Sequence, residues 1–345
     1  MHRCLELAKL GAGYVAPNPM VGAVLVYNER IIGEGYHKKY GEAHAEVNCI
    51  ASVSDADKKL IPESVLYVSL EPCVHFGKTP PCADLIIKYK IPKVVIGCRD
   101  PFKEVDGKGI EKLKAAGVDV ECGILENECK EINKRFFCFH TKHRPYIILK
   151  WAQTADKKIA GDTSERLLIS NEYTNHLVHK WRSEEASILV GTNTALQDNP
   201  ELTTRLWNGP SPVRLVIDMD LRLPKSLKLF DRTTPTIIFN SKEHDMESFS
   251  EGLGLYQVTE DVSLVPQMMN ALHRLNIQSV MVEGGARLLQ SFIDEGVWDE
   301  AKIITNEQLN IENGLTAPEL SNAEKITEEN MLSDKIEFYR NTNAY

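Results

Sequence analysis

The sequence predicts an α/β chain of two layered domains, and three observations carry that expectation. Short β-branched runs alternate with stretches of helical period along nearly the whole chain, the pattern of sheets covered on both faces by helices. The 345 residues suggest two domains at roughly 150 residues each. All eight cysteines fall between Cys4 and Cys138 and none lies beyond, a compositional step that separates the two halves.

Taken in order, Cys4 to Leu10 reads as a short helix ended by Gly11 and Gly13. Ala16-Pro17-Asn18-Pro19 is a stiff loop. Val21 to Tyr27 and Arg30 to Tyr36 are strands of a hairpin that turns at Asn28-Glu29. His44 opens a helix to Ser52, and Ser64 to Leu70 is a strand that delivers Cys73 at its carboxyl end. Cys82 opens a helix to Lys90, stopped before Pro92. Val94 to Cys98 is a strand, Gly109 to Ala116 a helix with Gly117 as C-cap, and Val118 to Cys122 a strand. Glu126 to Phe139 reads as one longer helix.

Thr141-Lys142-His143-Arg144-Pro145 is polar, basic and proline-terminated, as linkers are. The expected domains are therefore 1–142 and 143–345. In the second, Tyr146 to Trp151, Ser187 to Val190, Val213 to Met219, Thr236 to Phe239, Leu255 to Val258 and Ser279 to Val282 read as strands. Asn171 to Trp181, Val262 to Leu275 and Ala286 to Asp294 read as helices.

Hydrophobic residues make up 43% and charged residues 26%, as in an ordinary soluble globular protein. The net charge of −9 disfavours a nucleic-acid partner, yet a small anionic substrate needs only a few local Arg and Lys. No signal-peptide stretch and no bilayer-length apolar run is present, so no membrane is expected and a reducing cytoplasm is. There, clustered cysteines point to metal before disulfide. The chain opens almost directly in a helical pattern, which suggests that a few native residues precede it.

The chemistry centres on His44-Ala45-Glu46 and Pro72-Cys73 … Cys82. One His and two Cys supply three ligands to a tetrahedral zinc and leave a position for water. Glu46, two residues from the His, is placed to move protons without being a ligand. This is the pattern of zinc nucleobase deaminases, in which the metal activates water and the Glu protonates the departing ammonia. Such a trio also arises by chance among buried apolar cysteines; the offset of Glu46, Pro72 before Cys73 and the flanking elements favour the metal. The usual second half is Cys-x-x-Cys, whereas here Val74 to Pro81 intervene.

Around the motif, the prolines flanking Asn18 fix its backbone so that its amide can face a flat heterocycle; alone, this stretch reads as a plain proline-rich turn, and beside the zinc motif as a substrate contact. His37 sits on a loop and is a candidate to bind a phosphate or ribose, or a surface histidine. His75 and Lys78 lie in the cysteine insert, where Lys78 could bind phosphate. Gly77-Lys78-Thr79 looks like the tail of a P-loop, but Pro72 stands where that loop needs glycine, and triphosphate binding is rejected.

In the second half, Val282-Glu283-Gly284-Gly285-Ala286-Arg287 is strand, Gly-Gly turn and helix start, a place where backbone N–H groups can meet a phosphate. By itself it is equally a tight turn. Arg182 and Arg205 are isolated cations, each a candidate phosphate clamp or a solvated surface residue.

Three stretches now combine: Pro17-Asn18-Pro19-Met20-Val21-Gly22-Ala23-Val24, His44-Ala45-Glu46, and Leu70-Glu71-Pro72-Cys73-Val74-His75-Phe76-Gly77-Lys78-Thr79-Pro80-Pro81-Cys82. They resemble the deaminase half of the bifunctional riboflavin-biosynthesis deaminase/reductase family. The long insert separates that family from cytidine and tRNA adenosine deaminases. Arg144-Pro145-Tyr146, Lys150-Trp151-Ala152, Ile188-Leu189-Val190-Gly191, Asp198-Asn199-Pro200-Glu201-Leu202-Thr203-Thr204-Arg205 and Val282-Glu283-Gly284-Gly285 resemble its reductase half.

The resemblance runs to about residue 320. It implies a cytidine-deaminase-like three-layer domain followed by a dihydrofolate-reductase-like domain. It implies Zn2+ on His44, Cys73 and Cys82, with Glu46 as proton shuttle and Asn18, His37 and Lys78 as substrate contacts. It further implies NADPH at Ala152, Thr194, Asp198 and the loop Gly285, Ala286 and Arg287, with substrate at Arg166, Arg182, Leu202, Arg205 and Glu283. The implied activity is deamination of 2,5-diamino-6-ribosylamino-4(3H)-pyrimidinone 5′-phosphate, then reduction of its ribosyl chain to give 5-amino-6-ribitylaminouracil 5′-phosphate. The expected partner is thus a small phosphorylated pyrimidine, with homo-oligomerisation through the reductase half. One departure is Lys157, where the family commonly has glycine, and it puts the local loop shape in question. The rival readings are a tRNA or nucleoside deaminase with an unrelated appendage, a second half without chemistry, and a purely structural zinc.

Overall fold

In the computed structural model, strand β1 (Gly22–Tyr27) buries Ala23 and Leu25 on one face and Val24 on the other, so both faces must carry helices. The structure describes residues 1–76, 80–162 and 167–343. It divides into two units, Met1–His143 and Arg144–Tyr345.

The first unit runs α1 (His2–Lys9), β1, β2 (Arg30–Tyr36), α2 (Ala45–Ala51), β3 (Val65–Leu70), α3 (Cys82–Lys88), β4 (Lys93–Cys98), α4 (Lys108–Ala115), β5 (Asp119–Cys122), α5 (Glu126–Ile132) and α6 (Lys134–Lys142). The sheet order is β2-β1-β3-β4-β5. β1 is antiparallel to β2 and β3, while β3, β4 and β5 are parallel. Cys49 and Ile50 of α2, Ile86 of α3 and Leu113 of α4 pack on one face. Leu5 of α1 and Cys129 of α5 pack with Leu70 and Cys98 on the other. The result is a three-layer sandwich.

The second unit runs β6 (Tyr146–Thr154), β7 (Lys158–Ala160), α7 (Glu172–Glu184), β8 (Ser187–Val190), α8 (Thr192–Asp198), β9 (Val213–Ile217), β10 (Thr236–Asn240), β11 (Leu253–Gln257), α9 (Leu264–Arg274), β12 (Ser279–Val282), α10 (Ala286–Asp294), β13 (Glu300–Asn306), β14 (Leu315–Thr316), β15 (Ala323–Met331) and β16 (Asp334–Asn341). Its large sheet has the order β11-β10-β9-β8-β12-β6-β13-β16-β15. Strands from β11 through β13 are parallel, and β16 and β15 close the edge antiparallel. Ile147, Leu149 and Trp151 of β6 meet Met268 and Leu272 of α9 and Leu289 and Phe292 of α10 in one core. Among the described residues no helix is long and apolar enough to cross a membrane.

Several expectations are corrected. The helix expected over Glu126–Phe139 is two, α5 and α6, broken at Asn133 (φ −109°, ψ 20°). The reason is a side-chain clamp: Asn133 Oδ1 accepts from the Met20 N–H at 2.8 Å and its Nδ2 donates to the Met20 carbonyl at 2.9 Å. The boundary falls one residue later than expected, because His143 closes α6 in the left-handed region (φ 54°). Strands β7, β13, β14, β15 and β16 and helix α8 were not anticipated. Lys157 holds the left-handed turn (φ 59°) that a glycine would adopt more easily, with its N–H on the Thr154 carbonyl at 3.0 Å. Lys157 holds this conformation at a backbone cost of about 1–2 kcal/mol.

Candidate metal centre and candidate cofactor cleft

His44 is the extended N-cap residue of α2 (φ −72°, ψ 168°), and Glu46 lies in that helix's first turn. α2 can press this close to β2 because position 35 is glycine; a Cβ there would collide with the Cys49 backbone nitrogen. Cys73 follows β3, and Cys82 is the first residue of α3. His44 Nδ1 lies 3.6 Å from Cys73 Sγ and 3.4 Å from Cys82 Sγ. The three donor atoms are within 4.8 Å of one another. A tetrahedral zinc with Zn–S of ~2.3 Å and Zn–N of ~2.0–2.1 Å sets the N···S edge near ~3.5 Å, so donor set and spacing fit that metal.

The electrostatics fit as well. The hydrogen bond from Cys82 brings the Cys73 thiol down to about 4 against the opposing effect of burial, with His44 helping. Cys82 is pushed up by Cys73 and by burial. Metal binding to cysteine takes the thiolate form, so a cation held here would displace the thiol protons. Glu46 is 3% exposed, and burial, helped by Cys73, raises its carboxyl above the usual range.

Asn18 and His37 form one unit beside this centre. His37 Nδ1–H donates to the Ala43 carbonyl at 3.0 Å, which leaves Nε2 to accept from Asn18 Nδ2 at 3.2 Å. His37 is buried, at 2% exposure, and burial lowers its pKa, in keeping with this neutral tautomer. His37 is therefore neither a surface residue nor one with a spare ring nitrogen: it orients Asn18, while Asn133 anchors the same loop at Met20. Lys78 lies outside the described residues.

In the second unit, the carboxyl ends of the parallel strands β6, β8 and β12 open on a cavity of about 930 Å³, where such sheets bind ligands. Ala152, Thr194, Asp198, Gly285, Ala286 and Arg287 all line it. Gly284 (φ 141°) and Gly285 (φ 70°) form the turn into α10. A Cβ at Gly284 would lie 2.9 Å from the Thr194 side chain. This bare backbone at the N-terminus of α10 is a cradle for a phosphate-bearing cofactor, and the site fits a dinucleotide.

Of the expected substrate contacts, Arg182, Arg205 and Glu283 line the same cavity. Arg182 is not the isolated cation that its sequence neighbourhood suggests. Its Nε and Nη2 donate to both oxygens of Glu283 at 3.0 and 2.6 Å, and the side chains are 12% and 7% exposed. Burial works against the charge on Glu283, but Arg182 and Lys150 outweigh it and hold its carboxyl at about 2. That edge of Arg182 is thus committed to Glu283, whereas Arg205 is half-exposed and 3.7 Å from Glu201. Leu202 is buried (2%) in the left-handed region (φ 54°) and is not among the cavity-lining residues. Arg166 lies outside the described residues.

The cavity also contains Lys150 and His179, which sequence reasoning passed over. Both had a signal: Lys150 is two residues before Ala152 on one strand face, and His179 is one helical turn before Arg182. Burial, reinforced by Arg182 and Arg205, lowers His179 to about 4, so it faces the cleft as a neutral group.

Residues 1–98 match the family model described as the cytidine and deoxycytidylate deaminase zinc-binding region. Residues 145–306 match the RibD C-terminal domain. The chain is thus a zinc deaminase domain followed by a reductase domain. It is 41% identical to the riboflavin biosynthesis protein RibD of Aquifex aeolicus, over 87% of this chain and 83% of that protein. It is 40% identical to that of Bacillus amyloliquefaciens, over 87% and 81%. The crystal structure of the diaminohydroxyphosphoribosylaminopyrimidine deaminase/5-amino-6-(5-phosphoribosylamino)uracil reductase of Thermotoga maritima superposes with a TM-score of 0.89 at 35% identity, covering 99% of this chain and 97% of that one. The chain belongs to the RibD family. It is a bifunctional enzyme of riboflavin biosynthesis, hydrolase and oxidoreductase, and this membership implies Zn2+ and NADPH as its cofactors.

Proposed function

We propose that the first unit hydrolyses the 2-amino group of 2,5-diamino-6-ribosylamino-4(3H)-pyrimidinone 5′-phosphate. The second unit then reduces the ribosyl chain of the product to give 5-amino-6-ribitylaminouracil 5′-phosphate. The observation that carries the first step is the His44, Cys73 and Cys82 donor set beside a buried glutamate. Zinc, when bound there, lowers the pKa of water and so supplies a nucleophile at neutral pH. Glu46 takes a proton and hands it to the leaving nitrogen, which departs as ammonia. Its burial raises its carboxyl above the usual range, the direction that favours holding a proton for transfer. Asn18, held by His37, presents its amide to the pyrimidine edge, and Lys78 pairs with the phosphate.

In the second step NADPH would supply a hydride to the sugar C1′ as the bond from C1′ to the ring oxygen opens, and that oxygen takes up a proton from solvent. Ala152, Thr194, Asp198, Gly285, Ala286 and Arg287 hold the cofactor. Arg205 pairs with the substrate phosphate, Arg166 is a further substrate contact that the family match implies, and Glu283, fixed by Arg182, orients the sugar. The chain works in the cytoplasm, which agrees with its free cysteines. It assembles as a homo-oligomer through the reductase half, whose edge strand β15 is exposed along most of its length.

Supplying the deaminated uracil phosphate directly tests the second step. Steady loss of NADPH absorbance is expected, without prior ammonia release. A protein that binds NADPH yet leaves its absorbance unchanged would instead make the second unit a module without chemistry.

A further inference from the structure

Glu71 is 3% exposed, and among the described residues no cation pairs with it. Its charge is met by backbone alone. Oε2 accepts from the Asp100 N–H at 3.2 Å and the Gly107 N–H at 3.0 Å. Oε1 accepts from the Gly109 N–H at 2.9 Å and the Ile110 N–H at 3.1 Å. Three of these donors belong to the cap and first turn of α4, where N–H groups lack helical partners and the helix dipole favours an anion.

The contact continues into the backbone. A Cβ at Gly109 would collide with the Pro72 carbonyl, so Glu71 and Pro72 are both seated on that turn. Proline fixes its own φ and passes this placement to Cys73. On its other side, Cys73 is held by α3: its Sγ accepts from the Cys82 N–H at 3.4 Å and its carbonyl from the Ala83 N–H at 3.1 Å. Cys73 is thus suspended between the starts of two helices, one reached directly and the other through Glu71.

We propose that Glu71 is a positioning residue for the metal centre, its carboxylate fixing Cys73 opposite His44 and Cys82 by clamping the loop after β3 to the first turn of α4. This rests on the proposed zinc ligands. Failure of that reading would appear separately, as unaltered protein holding no stoichiometric zinc.

Two measurements test it. Glu71→Gln keeps the size of the side chain but turns an N–H donor toward N–H donors. With zinc, its affinity measured by chelator competition should fall 10–100-fold, the range for groups that orient metal ligands. Its cobalt-substituted form should show altered thiolate-to-cobalt bands. In the unaltered protein, linkage requires the converse: adding zinc should slow hydrogen exchange at the Gly107, Gly109 and Ile110 amides. If exchange there is indifferent to zinc, the proposal is overturned, whether or not the variant folds. A variant that melts at lower temperature but keeps its zinc affinity and cobalt spectrum would also overturn it, leaving Glu71 as a cap of α4 alone.

Discussion

Replacing Glu46 by Gln should leave a folded, zinc-loaded protein whose ammonia release is down by ~10²–10⁴-fold or more. Gln fills the same buried space in the first turn of α2, so packing is preserved and only proton transfer is lost. The His44 and cysteine donors are untouched, and metal content should remain that of the unaltered enzyme. Oxidation of NADPH with deaminated substrate should continue unchanged, since the cleft is built entirely from the second unit. Ammonia release and NADPH oxidation, measured on one preparation, separate these outcomes. Undiminished deamination would make the zinc structural and deprive Glu46 of its role.

The second large effect is expected at Arg182 and Glu283. Glu283→Gln leaves the Arg182 guanidinium buried without its counter-charge, and breaking such a pair typically costs about 3–5 kcal/mol. Reductase turnover should fall roughly 100-fold as the carboxylate proposed to orient the sugar is lost and its neighbours shift, with deamination spared. The sign of the pH dependence follows from the carboxyl being held down at about 2. A depressed carboxylate pKa stabilises the fold above its unfolded value, ~4.3, and that stabilisation is lost as pH falls through about 2. The stability gap between parent and variant should therefore be full at neutral pH and shrink steadily below ~4.3. Denaturant melts across that range check it; a gap that is constant with pH would contradict the assignment.

Most of the metal centre was legible because its chemistry is local. His44 and Glu46 share one helix start, Cys73 follows the end of a strand and Cys82 begins a helix, so spacing and element order suffice. The Gly284-Gly285 turn was legible for the same reason. What stayed hidden depends on partners distant in sequence. Arg182 and Glu283 neutralise each other from α7 and the end of β12, so each looks isolated on its own. His37 reads as a loop histidine until the fold closes it on Asn18. The break between α5 and α6 is invisible because Asn133 bonds Met20 across the unit. β15 eluded pattern reading because residues on both its faces are exposed, so it has no apolar alternation to report. β13 hides a lysine in its buried run: Lys302 lies with Nζ 4.5 Å from the Trp181 ring, a cation–π contact that no period reveals.

On the proposed reading one chain carries two chemistries in its two units, the first of them dependent on His44, Cys73 and Cys82 holding zinc. Stripping the metal with a chelator and assaying both steps tests it most directly. Ammonia release should disappear and return on adding stoichiometric Zn2+, while NADPH oxidation with deaminated substrate persists throughout. Deamination that survives complete zinc removal would contradict it.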